Sequence, residues 1–465
     1  MSIIKLKIFP VYFLLLLASH AIAQVYPPDV QYIPVPVLPL IRPSYLNVIT
    51  DPSFGTGIIR ITDSTVFSES NVRHHYSKDQ PWNADQTLIK IDGDRLLDGQ
   101  TFQYLRTIYM PSEVVWSSLD PNKLFGITTN GNQFMSIDAT TGVQTILHTF
   151  TGYNNIYMGP WEGNVSIDDS IVVFVTSTGS GGDIIVYDIA NDNIVSSASI
   201  ASLGYLGTID WASISQSGNY VVINGRGSSN DAVKSFDRNL NYIATLFTVG
   251  EHGDMGYDAY GNEVFIQVCS SSYRMARLSN GQVTSLVPTN QCGHISTRNI
   301  NRPGWCYSTT NNPNSDVLAI KLDTSGIVER YTHHRSSEIS YDAEPHGVPS
   351  PDGKLMMFAN DWNGTSEINS YITGMMPLLG IVESNISNRN HFFIYPNPAN
   401  ETLTIKFDYN SNQKRQFQIF NSMGMLLKEV SVTRSSQINI EDLSSGLYFV
   451  HPINDFSPAI KLIKQ

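Results

Sequence analysis

Three features of this 465-residue sequence predict an all-β chain, a seven-bladed β-propeller followed by a small Ig-like β-sandwich. The first is a recurring unit of small or polar residues, a Gly, Asn or Asp turn and an apolar strand. Its period of about 44.5 residues accommodates four short strands. The second is composition: 23 Tyr, 20 Phe, 23 Pro and 33 Gly favour strands and turns, and helical periodicity is nearly absent from the middle of the chain. The third is a change of character at Phe392, after which short alternating strands are separated by Gly and Asn turns.

At the N-terminus, Lys5 and Lys7 precede an apolar run from Val11 to Ala18, and Ala21-Ile22-Ala23 follows as a small-x-small cleavage pattern. Residues 1–23 therefore read as a signal peptide, because the apolar run is too short to span a bilayer. No later stretch approaches eighteen consecutive apolar residues, so no transmembrane segment is expected in the mature chain. Residues 24–50, with prolines from Pro27 to Pro43, read as an extended lead-in. Export permits disulfides, and Cys269, Cys292 and Cys306 allow one bridge with one thiol left over. A net charge of −12 with only 15% charged residues excludes the basic footprint of a nucleic-acid binder.

Residues 51–373 carry the repeat. Its turns recur from Asp85 in Trp82-Asn83-Ala84-Asp85 to Asp352 in Pro351-Asp352-Gly353, 267 residues divided into six intervals. The last unit is one strand short, and Gly57-Ile58-Ile59-Arg60-Ile61-Thr62 is a strand with no unit of its own. The N-terminal strand is therefore expected to close the last blade and remove the open edges.

In a propeller the start of each innermost strand faces the mouth of the central channel. The seven units place Trp82, Trp116, Glu162, Asp210, His252, His294 and His346 there. Imidazoles from three successive blades, converging on one axis, suit a divalent metal or acid–base work. Glu344, two residues before His346, adds a carboxylate ligand. The same histidines would equally serve as hydrogen-bonding links between blades. Arg298, Arg302, Arg274 and Arg226, whose forks match planar oxyanions, occur in the same units with Tyr257 and Tyr307. The six tryptophans all lie in or beside turns, where they either stack on sugar rings or pack blades together.

After a linker at residues 374–391, the last segment, 392–465, supplies four motifs in order. They are Tyr395-Pro396-Asn397-Pro398, Asn421-Ser422-Met423-Gly424, Leu443-Ser444-Ser445-Gly446-Leu447-Tyr448 and Lys461-Leu462-Ile463-Lys464. This segment resembles the C-terminal sorting domain of the type IX secretion system. The resemblance implies handling by that secretion machinery and release or attachment at the outer surface of a Gram-negative cell. A carbohydrate-binding sandwich is the alternative for the same strands.

A second resemblance covers residues 250–365. His252-Gly253, Gly293-His294 and Glu344-Pro345-His346-Gly347-Val348-Pro349-Ser350-Pro351-Asp352-Gly353-Lys354 are similar to stretches of oligogalacturonate-lyase-type propellers. The Ser-Pro-Asp-Gly turn is shared with TolB-like propellers. The resemblance implies β-elimination from uronic acids with a divalent metal held by histidines of neighbouring blades. The family's histidine-x-histidine pair is Glu344-Pro345-His346 here, so either one ligand becomes a carboxylate or the metal site is absent. On this reading His252, His294, His346 and Glu344 hold the metal. His252 or His294 is the base, Arg298 or Arg302 neutralises the carboxylate of an acidic polysaccharide, and Tyr257 or Tyr307 is the acid. A cell-surface propeller that grips glycan or protein without turnover is the other reading, so whether the chain is an enzyme stays open on the sequence.

Overall fold

The structure, a computed structural model, describes residues 35–374 and 392–465 apart from 112, 227–231, 270–271, 290–291, 408–413, 422–424, 434 and 453–459. The expected signal peptide, residues 24–34 of the lead-in, the linker beyond Gly374 and positions 422–424 of the Asn-Ser-Met-Gly turn lie outside the described residues.

A strand such as Ile171–Val175, buried at every position, has no polar face to give to water. It must be covered on both sides. Ile171, Val173 and Val175 pack with Ile209, Ala212 and Ile214 of the next sheet. Val172 and Phe174 pack with Phe125, Ile127 and Phe134 of the preceding one. That period of two, repeated from sheet to sheet, makes a propeller. Among the described residues seven small sheets follow one another between Val48 and Gly374. Thr208–Ile214, Tyr220–Arg226, Val233–Asp237 and Tyr242–Phe247 form one four-stranded example, in sequence order from the inside outward. Apolar clusters join each sheet to its successor, and a further cluster joins Met357 and Ile372 of the last sheet to Trp82, Ile89 and Leu97 of the first. The ring is closed by burial, with no helix longer than Ser64–Phe67 among the described residues.

Closure depends on the N-terminal strand. Gly57–Arg60 runs antiparallel to Ile368–Gly374, with Ile58 opposite Thr373 and Ile59 opposite Ile372. Ile58 faces the cluster shared with the sixth sheet and Ile59 the cluster shared with the first. The lead-in is less passive than the sequence suggested. Val48–Thr50, assigned to the Pro-rich segment, forms a further strand on Gly57–Ile59. Arg42 pairs with Glu367 at 2.7 Å, and the Trp362 indole donates to the Leu40 carbonyl at 3.2 Å. These contacts lay the described lead-in along the last sheet. Cys292 is disulfide-bonded, and Cys306 is a free thiol buried between the fifth and sixth sheets.

The C-terminal segment is a sandwich. Phe392–Tyr395, Thr402–Phe407 and Ser435–Asn439 form one sheet, and Lys414–Asn421, Leu426–Thr433, Gly446–Pro452 and Ile460–Lys464 the other. Leu403 and Ile405 of the first meet Phe417, Ile419, Val450 and Leu462 of the second. The Asn397 side chain clasps the last strand, donating to the Lys461 carbonyl at 2.6 Å and accepting from the Ile463 N–H at 2.9 Å. The first and last sequence motifs of this segment are thus one structural unit.

One fully buried histidine of the propeller is paired in a way that bears on acid stability. Fully buried His334 accepts the Ser336 N–H on Nδ1 at 2.9 Å, and its Nε2 lies 2.8 Å from the Thr310 carbonyl. Only the neutral Nε2–H tautomer fits both partners. Burial lowers its pKa to about 4, against a partial opposing effect of the Thr310 bond. The native state then binds fewer protons than the unfolded chain below the ordinary value of 6.5. The contribution of His334 is complete above that value and is lost as pH falls toward 4, at a slope of up to about 1.4 kcal/mol per pH unit. Guanidinium unfolding midpoints measured between about pH 7 and about pH 4 should fall on acidification, and fall less in His334→Gln. An equal fall in both proteins would remove His334 from that role.

Candidate functional site

Three innermost strands bring the histidines together. His252 immediately precedes Gly253–Tyr257, His294 is the second residue of Gly293–Ser296, and His346 stands two residues before Val348–Pro349. All three strands point the same way along the channel, so residues at their starts meet at one mouth. Gly293 allows the close approach: a Cβ there would run into the Thr309 carbonyl of the next strand. The His252 and His294 ring centroids are 4.7 Å apart, and those of His294 and His346 are 4.4 Å apart.

Glu344 completes the group. One oxygen, Oε2, lies 3.6 Å from Nε2 of His294 and 3.6 Å from Nε2 of His346. His294 and His346 are 3% and 0% exposed, and neither Nε2 has a hydrogen-bond partner. Ligand atoms of His294, Glu344 and His346 all lie within 4.8 Å of one another. His346 is held at φ +45°, a left-handed conformation that a non-glycine residue adopts at a cost. Burial lowers the pKa of both imidazoles well below the ordinary range, leaving neutral nitrogen donors, and raises that of Glu344. Two buried nitrogen donors without partners and one carboxylate oxygen fit a divalent cation.

His252 stands beside this group, outside the three-residue cluster. Its ring edge is accessible at the mouth, yet the protein packed around it, followed by the charge of Lys78, lowers its pKa. Its Nδ1 lies 3.2 Å from the Tyr76 hydroxyl. Buried Tyr76 also contacts the rings of His294 and His346, and Tyr341 lies against His346 at 4.6 Å. Burial raises the pKa of Tyr76 well above 10 and that of Tyr341 to about 12, so both phenols stay protonated. Arg73 is fixed by Asp342 at 2.9 Å and by the carbonyls of His74 and His75, with Nη1 3.4 Å from Nδ1 of His346. His74 is the contrasting case: its Nε2 bonds the His346 carbonyl at 2.7 Å and its backbone N–H bonds Ser370 Oγ at 2.9 Å. That is a structural link between strands.

Other expected site residues lie elsewhere. Arg298 is buried in a bidentate pair with Asp254, at 3.0 and 2.9 Å. Arg302 pairs both ways with Glu329, at 2.8 and 2.7 Å, and stacks on Trp305. Tyr307 is buried and donates to the Gly353 carbonyl at 2.6 Å. Tyr257 lines a separate depression with Ser217 and Glu263. At about 3.3 Å per residue, five residues of strand carry Tyr257 far from His252. Arg298, Arg302 and Tyr307 thus have partners of their own, and Tyr257 stands in its separate depression. Trp82 and Trp116 are likewise buried in inter-sheet clusters.

Residues 73–79 and Tyr341 carry the features that sequence reasoning missed. Residues 73–79 form a loop and Tyr341 opens the short 3-10 helix Tyr341–Ala343, both outside the repeat, and the density of titratable residues in Arg73-His74-His75-Tyr76-Ser77-Lys78-Asp79 was the available signal. Beside the histidines opens a cavity of about 570 Å³, lined among others by Tyr76, Trp161, Glu162, Asp210, Arg226 and Tyr341. Its carboxylates are matched by cations: Lys78 pairs with Glu162, and Arg226 lies 3.3 Å from Asp210. Arg226, unlike Arg298 and Arg302, has its guanidinium at the open mouth.

Residues 393–464 match the secretion system C-terminal sorting domain. No curated protein matches the chain. Among solved structures, an oligogalacturonate lyase in complex with manganese aligns with a TM-score of 0.53 and 13% identity, over 71% of this chain and 96% of that one. An oligogalacturonate lyase from Vibrio parahaemolyticus gives 0.51 and 12%, over the same 71% and 96%. TolB from Acinetobacter baumannii gives 0.34 and 15%, over 60% of this chain and 75% of that one. At such identities the two lyases share the fold with this chain. The sorting domain marks a secreted, cell-surface protein whose remaining described residues form a β-propeller.

Proposed function

We propose that this propeller is a cell-surface lyase that cleaves uronate-containing glycans by β-elimination at the histidine-lined mouth. The observation that carries the reading is the pair of buried, unpartnered Nε2 atoms of His294 and His346 facing one Glu344 oxygen. A divalent metal bound there would supply positive charge to acidify the proton next to a uronate carboxylate. Arg226, at the open edge of the cavity, orients that carboxylate. His252, kept neutral, has Nδ1 engaged by Tyr76 and takes the C5 proton on Nε2. The C5–H electron pair forms the C4–C5 double bond, the C4–O bond breaks, and the leaving oxygen takes the Tyr341 phenol proton. Proton uptake by His252 balances proton loss by Tyr341, and water exchanges the two between turnovers.

The test is an absorbance screen for unsaturated sugar ends on polygalacturonate, its oligomers and other uronate polysaccharides. Product formation is expected with Mn²⁺, with none in EDTA and recovery when the metal is restored. No unsaturated product from any uronate substrate at saturating Mn²⁺ would overturn the lyase reading. It would leave glycan binding without turnover, a reading favoured by the half-exposed Trp161 in the cavity wall.

A further inference from the structure

The six tryptophans of this chain do not have equal roles. Trp82, Trp116, Trp211 and Trp362 are 1 to 6% exposed and pack between sheets. Trp305 lies under the Arg302 guanidinium, 4.1 Å from its ring centre. Trp161 is 48% exposed, and it forms part of the cavity wall. From this contrast and the loop that carries the ring, we propose that Trp161 is the stacking platform of a saccharide subsite in the mouth cavity, and that Glu113 is the positioning residue that presents it. This rests on the proposal that the cavity takes a glycan, and it names a contact which that proposal does not need.

The loop from Tyr157 to Gly163 is built to hold the ring outward. Tyr157 exchanges backbone bonds with Val175 at 2.8 and 2.9 Å, Glu162 N–H bonds the Gly159 carbonyl at 3.1 Å, and Gly163 N–H bonds the Met158 carbonyl at 3.0 Å. Gly159 has φ +58°, and a Cβ there would run into the Ala212 carbonyl. Glu113, 6% exposed and reaching from the second sheet, spends both carboxylate oxygens on this one loop. Oε2 accepts the Met158 N–H at 2.6 Å, and Oε1 accepts the Trp161 N–H at 2.7 Å. Trp161 itself sits at φ +63°, where a bulky side chain is disfavoured and glycine or asparagine is at ease. A loop serving only to pack would carry a small residue here, or would turn the indole inward. Strain retained at an exposed aromatic, fixed by a buried carboxylate, points to use of the ring's face.

The surroundings specify the ligand class. A pyranose has an apolar C–H face and a rim of hydroxyls. Trp161 offers an aromatic face, and Glu162, Asp210, Thr178, Thr208 and Arg226 line the same concavity with hydrogen-bonding groups. A protein partner would require a broad apolar patch, whereas the aromatic neighbour of Trp161 is Tyr157, with ring centroids 6.0 Å apart. Neutral and uronic sugars share the apolar ring face, so the experiment separates them.

Binding is measured by calorimetry in a His252→Ala background with Mn²⁺, so that turnover does not intervene, using galacturonate oligomers and neutral xylan oligomers. Trp161→Gly removes the ring and relaxes the backbone. It should weaken oligomer binding about tenfold or more while leaving the melting temperature unchanged or higher. Trp161→Phe should retain part of the affinity. Glu113→Gln, which faces one N–H with an NH₂ group, should shift the Trp161 emission and weaken binding without removing the ring. Tight binding of neutral oligomers alone, lost in Trp161→Gly, would support the subsite and sink the uronate reading. Unchanged affinity in Trp161→Gly, a lowered melting temperature with unchanged affinity, or no binding of either oligomer to the protein with Trp161 intact would each overturn the subsite.

Discussion

Replacing His294 with Ala should weaken Mn²⁺ binding about a hundredfold or more while leaving folding stability within about 1 kcal/mol. The two halves of this expectation have one cause. Nε2 of His294 is buried and has no hydrogen-bond partner, so no bond is lost at that nitrogen when the imidazole is removed. The space left is bordered by Glu344, His252 and His346, polar groups that can hold a water. With the ring goes one of the three ligand atoms that lie within 4.8 Å of one another. His74→Ala is the internal control, with the opposite expectation. That ring bonds the His346 carbonyl at 2.7 Å, so its loss leaves a buried acceptor unsatisfied and should cost about 1–3 kcal/mol. Calorimetric titration with Mn²⁺ and denaturant unfolding of both variants provide the measurement. If His294→Ala bound the metal as tightly as the parent, or lost stability as His74→Ala does, the three-residue site would be wrong.

The same comparison explains what could be read from the sequence. The repeat was legible because each unit must cover both faces of a sheet, which imposes a regular spacing of turns and apolar strands. The closing strand at Ile58 and Ile59 was legible because an apolar alternation without a unit of its own needs a partner. The three histidines were legible because they hold equivalent places at the starts of successive inner strands. The ion pairs of Arg298 and Arg302 were hidden because they depend on Asp254 and Glu329, carboxylates contributed by other strands. No spacing along the chain reveals such a pairing. Tyr76, Arg73 and Tyr341 stayed hidden because they lie on a loop and a short 3-10 helix that the repeat does not index. Trp161 was visible as a tryptophan in a turn, but its exposure and its left-handed backbone are properties of the folded loop.

The other large effect concerns closure of the ring. Ile58→Ala with Ile59→Ala should remove most of the propeller's stability, although the pair comprises two residues of a four-residue strand. The side chains are 0% and 1% exposed and enter opposite clusters, Ile58 with Tyr307, Met356 and Tyr371, Ile59 with Trp82, Ile89 and Ile372. Truncation of a buried Ile costs about 2–5 kcal/mol. Because the two sites share no packing partners, the losses should nearly add. A combined loss of about 4–10 kcal/mol is comparable with the 5–15 kcal/mol that typically separates a domain from its unfolded state. The damage also spreads, since a loosened strand uncovers the edge of Ile368–Gly374 and invites pairing with another chain. Ile194→Ala, at a side chain 42% exposed on an outer strand, should shift the guanidinium midpoint little. If the double variant unfolded at the same midpoint as Ile194→Ala, the N-terminal strand would not be what holds the ring shut. A large drop accompanied by concentration-dependent aggregation would show that the strand both fills two cores and seals an edge.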